Sequence, residues 1–194
     1  MRWQMAEAIQ DYEAVSVYPL DPEKLEELLS THSECVFMWG TKDGWPVGVI
    51  MSYLWKDGRF WLTLGAHRHR VSAIRRDPRV SVCVTSTGTP LGRGKTATAK
   101  GRAIIHEDRE TKDWFYREFS EHLNPDPAAA AAFAKMLDSP IRVIVEVVPE
   151  KWITYDGAKM FADAQGALPP EAKGPPLSSD ADRLPRELER RGLR

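Results

Sequence analysis

Two Asp-Gly pairs, Asp43-Gly44 and Asp57-Gly58, each fall between runs that alternate apolar and polar residues. A tight two-residue turn needs positive φ angles, which Asp and Gly tolerate, so this arrangement is a strong local signal for an antiparallel hairpin. The runs ECVFMW, WPVGVIMSYLW and RFWLTL therefore read as three strands of an antiparallel meander. On the middle run Val47, Val49, Met51 and Tyr53 share one face, and Gly48, Ile50 and Ser52 share the other. Gly48 marks either a bulge or a place where a flat ligand approaches the backbone. Trp61 and Thr63 likewise lie on one face of the third run.

The next stretch, HRHRVSAIRRDPRV at residues 67–80, joins this meander to a further strand, VSVCV. Val71 and Ile74 mark one face of a short helix, and Asp77-Pro78 ends it, because the residue before a proline is pushed out of helical geometry. Arg75 and Arg76 sit at its C-terminus, where the helix dipole favours cations. Arg68 and Arg70 sit at its N-terminus, where the dipole disfavours them. Two guanidiniums beside free backbone amides make a phosphate site; the alternative is a solvated basic face. Thr63, just ahead of the loop, either hydrogen-bonds that phosphate or serves as an ordinary strand threonine. His67 and His69 flank Arg68 and add donors near the phosphate; two histidines without further ligands do not make a metal site, and no metal is expected.

The net charge of −1 gives no general pull toward nucleic acid or anionic membrane, so the basic cluster points to a small anionic ligand. With 194 residues, 42% of them hydrophobic, the chain suits one domain with a peripheral tail. No apolar run approaches the ~20 residues that span a bilayer, and MRWQMAEAIQDYEAV has no signal-peptide core, which predicts a cytoplasmic protein. Cys35 and Cys83 have no paired spacing and read as packed thiols.

Elsewhere, DPEKLEELLS reads as a helix across a barrel end, with Asp21 as cap, Pro22 in the first turn and Leu25, Leu28 and Leu29 buried. Val80, Val82 and Val84 point inward. TPLGRGKT ends like a phosphate-binding P-loop, but Thr89 stands where that motif needs its first glycine, and the following TATAKGRAIIHE reads as a strand rather than a helix. Lys95 and Lys100 are possible ligand or partner contacts. EDRETKDWFYREFSEHL, anchored by Trp114, Phe115 and Phe119, and PAAAAAFAKMLD read as helices. IRVIVEVV, continuing through PEKWITYDG, is the last strong strand. The domain is thus expected over residues 1–161, followed by a Pro-, Ala- and charge-rich tail over 162–194 with a short surface helix in LPRELERRGLR.

The strand, basic loop, helix, DPRV and strand unit, sharpest in RHRVSAIRRDPRVSV, resembles the FMN-binding split β-barrel superfamily, the pyridoxamine 5′-phosphate oxidase-like proteins and their deazaflavin-dependent relatives. The likeness covers roughly residues 33–157 and implies a mainly β, α+β fold: an antiparallel split β-barrel with peripheral helices. It implies that Arg68 and Arg70 hold the cofactor phosphate with His67 and His69 alongside, and that Thr63 and the backbone at Leu64 assist. Met51 and Ser52 would lie beside the isoalloxazine ring, and Lys95 and Thr96 would touch the flavin from a further strand. It also implies a homodimer with a cofactor in each groove between barrels, and hydride transfer between bound FMN and a small organic substrate. A deazaflavin coenzyme in the same grip, or storage or sensing of flavin or haem without turnover, are the alternatives. WITYDGAKM, at residues 152–160, resembles the closing strand, with Trp152 or Tyr155 as a wall of the substrate side or as core. The tail ELERRGLR departs from the C-terminal Arg/His substrate motif of pyridoxamine 5′-phosphate oxidases.

Overall fold

The structure, a computed structural model, describes residues 15–193. The reading of the N-terminal stretch therefore falls, but for Val15, outside the described residues. Seven strands form one antiparallel sheet in the order β2-β1-β5-β6-β7-β4-β3. They are β1 (Glu34–Gly40), β2 (Pro46–Ser52), β3 (Leu54–Lys56), β4 (Arg59–Gly65), β5 (Arg79–Thr85), β6 (Lys95–His106) and β7 (Arg142–Asp156). The helices are α1 (Pro22–Thr31), α2 (His69–Arg76), α3 (Arg109–Leu123), α4 (Pro127–Leu137), α5 (Gly157–Ala164) and α6 (Ser178–Arg190).

Both Asp-Gly turns form. Asp57 and Gly58 have φ of 53° and 72°, the pair of positive angles that a tight hairpin of this hand requires. The meander is nevertheless corrected. WPVGVIMSYLW is not one strand: it breaks at Tyr53 into β2, which pairs only with β1, and β3, which pairs only with β4. Since β2 and β3 are joined by one residue yet end opposite edges of the hydrogen-bonded order, the sheet must curl almost into a barrel. Tyr53 fixes the break. Its side chain is fully buried, its hydroxyl donates to the Leu29 carbonyl of α1 at 2.9 Å and its amide to Ser33 at 3.0 Å.

The inward faces follow the alternation: Phe37, Phe60, Leu62, Leu64, Val80, Val82, Val84, Ala97, Ala99, Val143, Val145 and Val147 fill the barrel, and Leu28 and Leu29 of α1 pack into the same core. A smaller cluster lies outside it, where Phe115, Tyr116 and Phe119 of α3 and Leu137 of α4 cover Leu54 and Ile144. The one cap read from sequence, Asp21, is corrected, and two others form. Asp108 and Asp126 accept from Thr111 and Ala129 amides, whereas Asp21 makes no side-chain cap and instead pairs with Lys159 at 2.6 Å. That pairing draws its carboxyl below the ordinary range.

Gly48 does not mark a bulge. The β1–β2 register runs without a shift, and a Cβ at Gly48 would come 2.9 Å from Val36 Cγ1 and 3.0 Å from Met38 Cγ, so the glycine makes room for its cross-strand neighbours. The closing segment is corrected too. β7 stops at Asp156, whose carboxylate accepts from the Ala158 amide and starts α5, so GAKM is helical. The expected boundary at residue 161 falls inside α5. Beyond it the chain stays docked: the Gly174 amide donates to Val17, the Tyr18 hydroxyl to Asp163, and Leu188 of α6 is buried. The last helix begins at Ser178, ahead of the segment read from sequence. Among the described residues no helix is long and apolar enough to cross a membrane.

Candidate functional site

β4 leads directly into the basic helix. Its last partner in β3 is Leu54, opposite Trp61, so Leu62 to Gly65 are paired on the β7 side alone. On the other flank Met51 and Ser52 belong to β2, which has already turned away to pair with β1. A split therefore opens between β2 and β4, with Ser52 and Met51 on one lip and Thr63 and Leu64 on the other, and α2 starts where the β4 lip ends. Most of these side chains are committed elsewhere. Leu64 is in the barrel core and can meet a ligand only through its backbone, while Met51 packs against the core and is half-buried. The Thr63 hydroxyl donates to the Val143 carbonyl at 3.0 Å. Ser52 is half-buried.

At the start of α2 the backbone turns twice, with the Arg68 amide donating to Gly65 at 3.0 Å and the Val71 amide to Arg68 at 2.9 Å. His69 and Arg70 are the first two residues of the helix, where amides have no carbonyl one turn back. The His67 imidazole folds over Gly65: a Cβ at that glycine would lie 2.7 Å from Cε1 of the ring. His67, Arg68 and His69 are exposed, whereas Arg70 is half-buried. Its Nε is inaccessible to solvent and has no hydrogen-bond partner. Burial, and then the neighbouring Arg68 charge, pull the Arg70 pKa below the ordinary guanidinium value. A buried donor without an acceptor, beside a second cation at a helix N-terminus, is costly unless an anion completes it. The donor set suits a phosphate.

A further cation went unread in the sequence. Arg142, at the head of the apolar strand β7, is the register partner of Gly65 and lies half-buried beside the loop. It shares the α3 side of the sheet with Thr63, since Ile144, two residues on, packs under α3. Tyr116 of α3 is buried there. Its hydroxyl lies beside Thr63 without reaching hydrogen-bond geometry, and burial pushes its phenol pKa up while the Arg142 charge pulls it back. Only the break in the apolar pattern at residue 142 could have drawn attention to this residue.

The model of the pyridoxamine 5′-phosphate oxidase family matches residues 21–156, well over half of the chain and the whole of the barrel. The chain belongs to the pyridoxamine 5′-phosphate oxidase family. A comparison with curated proteins gives no match. Solved structures similar to it include a conserved hypothetical protein from Mycobacterium tuberculosis, with TM-score 0.63 and 21% identity over 73% of this chain and 88% of that one. A FAD-binding protein from Mesorhizobium loti gives TM-score 0.53 and 23% identity over 70% of this chain and 94% of its own. An F420 reductase gives 0.50 and 21%, over 66% and 94%. These likenesses are of fold.

Within this pyridoxamine 5′-phosphate oxidase-family barrel, Lys95 and Thr96 stand apart from the basic loop. Thr96 pairs with Thr85, at the end of β5 away from α2, roughly 20 Å along a seven-residue strand. Lys95 is buried, with Nζ donating to the Leu91 carbonyl at 2.9 Å and 3.9 Å from Asp156. The glycine-rich loop before it is a hairpin connection between two strands, closed by Ser86, whose amide donates to the Lys95 carbonyl and whose hydroxyl accepts from the Lys95 amide.

Proposed function

We propose that this chain is a flavin-dependent oxidoreductase that holds FMN in the split between β2 and β4, gripping the phosphate with Arg68 and Arg70. The observation that carries the reading is the solvent-inaccessible, unpartnered Nε of Arg70 beside Arg68. His67 and Arg142 border the same corner and add donors, whereas His69 lines a separate cavity with Trp39 and Arg76. The backbones at Met51 and Leu64, with Ser52 and Thr63, supply the lips against which the ring would lie. A bound flavin brings hydride transfer to and from a small organic substrate, so the protein needs no acid, base or nucleophile of its own. Its residues would bind, orient and shield.

Lys95 and Thr96 enter this reading only through a second subunit. A row of side chains, Ile50, Val36, Cys83, Thr98 and Ile153, crosses five strands on the sheet face that α3 and α4 leave uncovered. Ile50 and Ile153 are 71% and 48% exposed there. Burying such a face favours association, and the family's dimeric arrangement supplies the partner: a second copy of this chain. Sedimentation equilibrium should give twice 22.0 kDa, and a monomer at micromolar concentration would remove Lys95 and Thr96 from the site.

The cofactor is tested by the absorbance spectrum and mass of what copurifies, followed by titration of the apoprotein with FMN. A flavin spectrum with stoichiometric uptake supports FMN. A deazaflavin spectrum selects the second reading, which the fold shared with an F420 reductase favours. No uptake of either contradicts both.

A further inference from the structure

The turn joining β1 to β2 and one face of α2 enclose a cavity of 190 Å³, lined among others by Trp39, Thr41, Lys42, His69, Ser72 and Arg76. His69, Ser72 and Arg76 follow helical spacing and form a face turned about 100° from Arg70. Three lining side chains are basic and none is acidic. The imbalance is local. Arg75 and Arg79, the nearest other arginines in sequence, are paired with Glu107 at 2.5 Å and Asp77 at 2.6 Å. Lys42 has no ion-pair partner among the described residues, and the Arg76 guanidinium reaches only the Gly40 carbonyl, at 2.7 Å. Asp43, exposed on the same turn, does not line the cavity.

An ammonium, a guanidinium and an imidazole border one concavity whose lining holds no carboxylate, the nearest ones being Asp43 on the same turn and Asp77 beside Arg76, so the cavity itself favours an anion. The cavity is several times the ~30 Å³ share of a water molecule and smaller than the ~300 Å³ at which whole-cofactor pockets begin. It suits an oxyanion group whose remainder runs out along the indole of Trp39. We propose that this pocket binds the phosphomonoester group of a second small molecule, separate from the group held by Arg68 and Arg70. Arg76 offers a fork for two phosphate oxygens and Lys42 a point charge. The hydroxyls contribute less, because Thr41 bridges the Trp45 backbone and Ser72 donates to the His69 carbonyl. This assignment stands independently of the cofactor reading.

The test is a heteronuclear NMR titration of the purified protein with inorganic phosphate and then phenyl phosphate, at constant ionic strength set with sodium chloride. The Trp39 indole N–H and the His69 ring C–H are the reporters. The expected result is saturable movement of both signals, with affinity weakened about tenfold or more in Lys42→Met and in Arg76→Met and unchanged in Arg70→Ala. Shifts that follow chloride equally well overturn the proposal, as does equal affinity in the two pocket variants. Loss of the response in Arg70→Ala also overturns it, by assigning the ion to the other site.

Discussion

Replacing Phe60 with Ala should remove about 3–5 kcal/mol of stability, the range for emptying a buried aromatic site. The ring is fully buried at the start of β4 and touches the residues that shape the barrel. Its centroid is 5.2 Å from Tyr53, 4.8 Å from Trp55 and 6.0 Å from Trp152, the first two edge-on. Tyr53 is the residue at which the chain leaves one sheet edge for the other, so the cavity would open beside the hinge of the split. Against a typical total of about 5–15 kcal/mol, that loss should appear in urea unfolding as a much lower midpoint. A loss below about 1 kcal/mol would mean that Phe60 is not central to the core.

Gly101→Ala should cost about 3 kcal/mol, at the top of the usual range for overpacking. The β6–β7 pairing shifts register between Lys100 and Gly101, and a Cβ at Gly101 would stand 2.2 Å from the Val148 carbonyl oxygen. The obstacle is backbone, so no side chain can swing aside, and the longest strand pair in the sheet must separate. For a chain of this size the melting temperature should fall by about 10 °C. An unchanged melting temperature would show that the irregularity in register is loose enough to absorb a methyl group.

Local chemistry made much of this fold legible. Asp57-Gly58 and Asp77-Pro78 act through dihedral preferences that neighbours do not alter, and the turn and helix end that they encode are where the sequence puts them. The alternation in β4 and β5 likewise set the core faces of Phe60, Leu62, Val80 and Val82. The break at Tyr53 was not legible. Met51 and Tyr53 keep the same alternating phase through it, and only the competition between β1 and β4 for the strand decides where it divides. Asp156-Gly157 was read as part of the closing strand, whereas the Asp156 carboxylate ends that strand and caps a helix. At the site, spacing picked out Arg68 and Arg70 but could not distinguish them. Burial does so, by leaving one guanidinium half-enclosed and the other exposed. Arg142 escaped notice because its neighbours make an apolar strand, and its proximity to Gly65 arises from pairing 77 residues away in the chain.

The claim on which the functional account depends is that Arg70 holds a phosphate. It is tested most directly by fluorescence titration of the apoprotein, and of a folded Arg70→Ala variant, with FMN and with riboflavin, which lacks the phosphate. Each charge-assisted hydrogen bond is worth about 1.5–3 kcal/mol, so the wild type should prefer FMN by well over tenfold, and the variant should lose at least about tenfold in FMN affinity with riboflavin affinity unchanged. Equal binding of the two ligands by the wild type, or an FMN affinity indifferent to the substitution, would contradict the account.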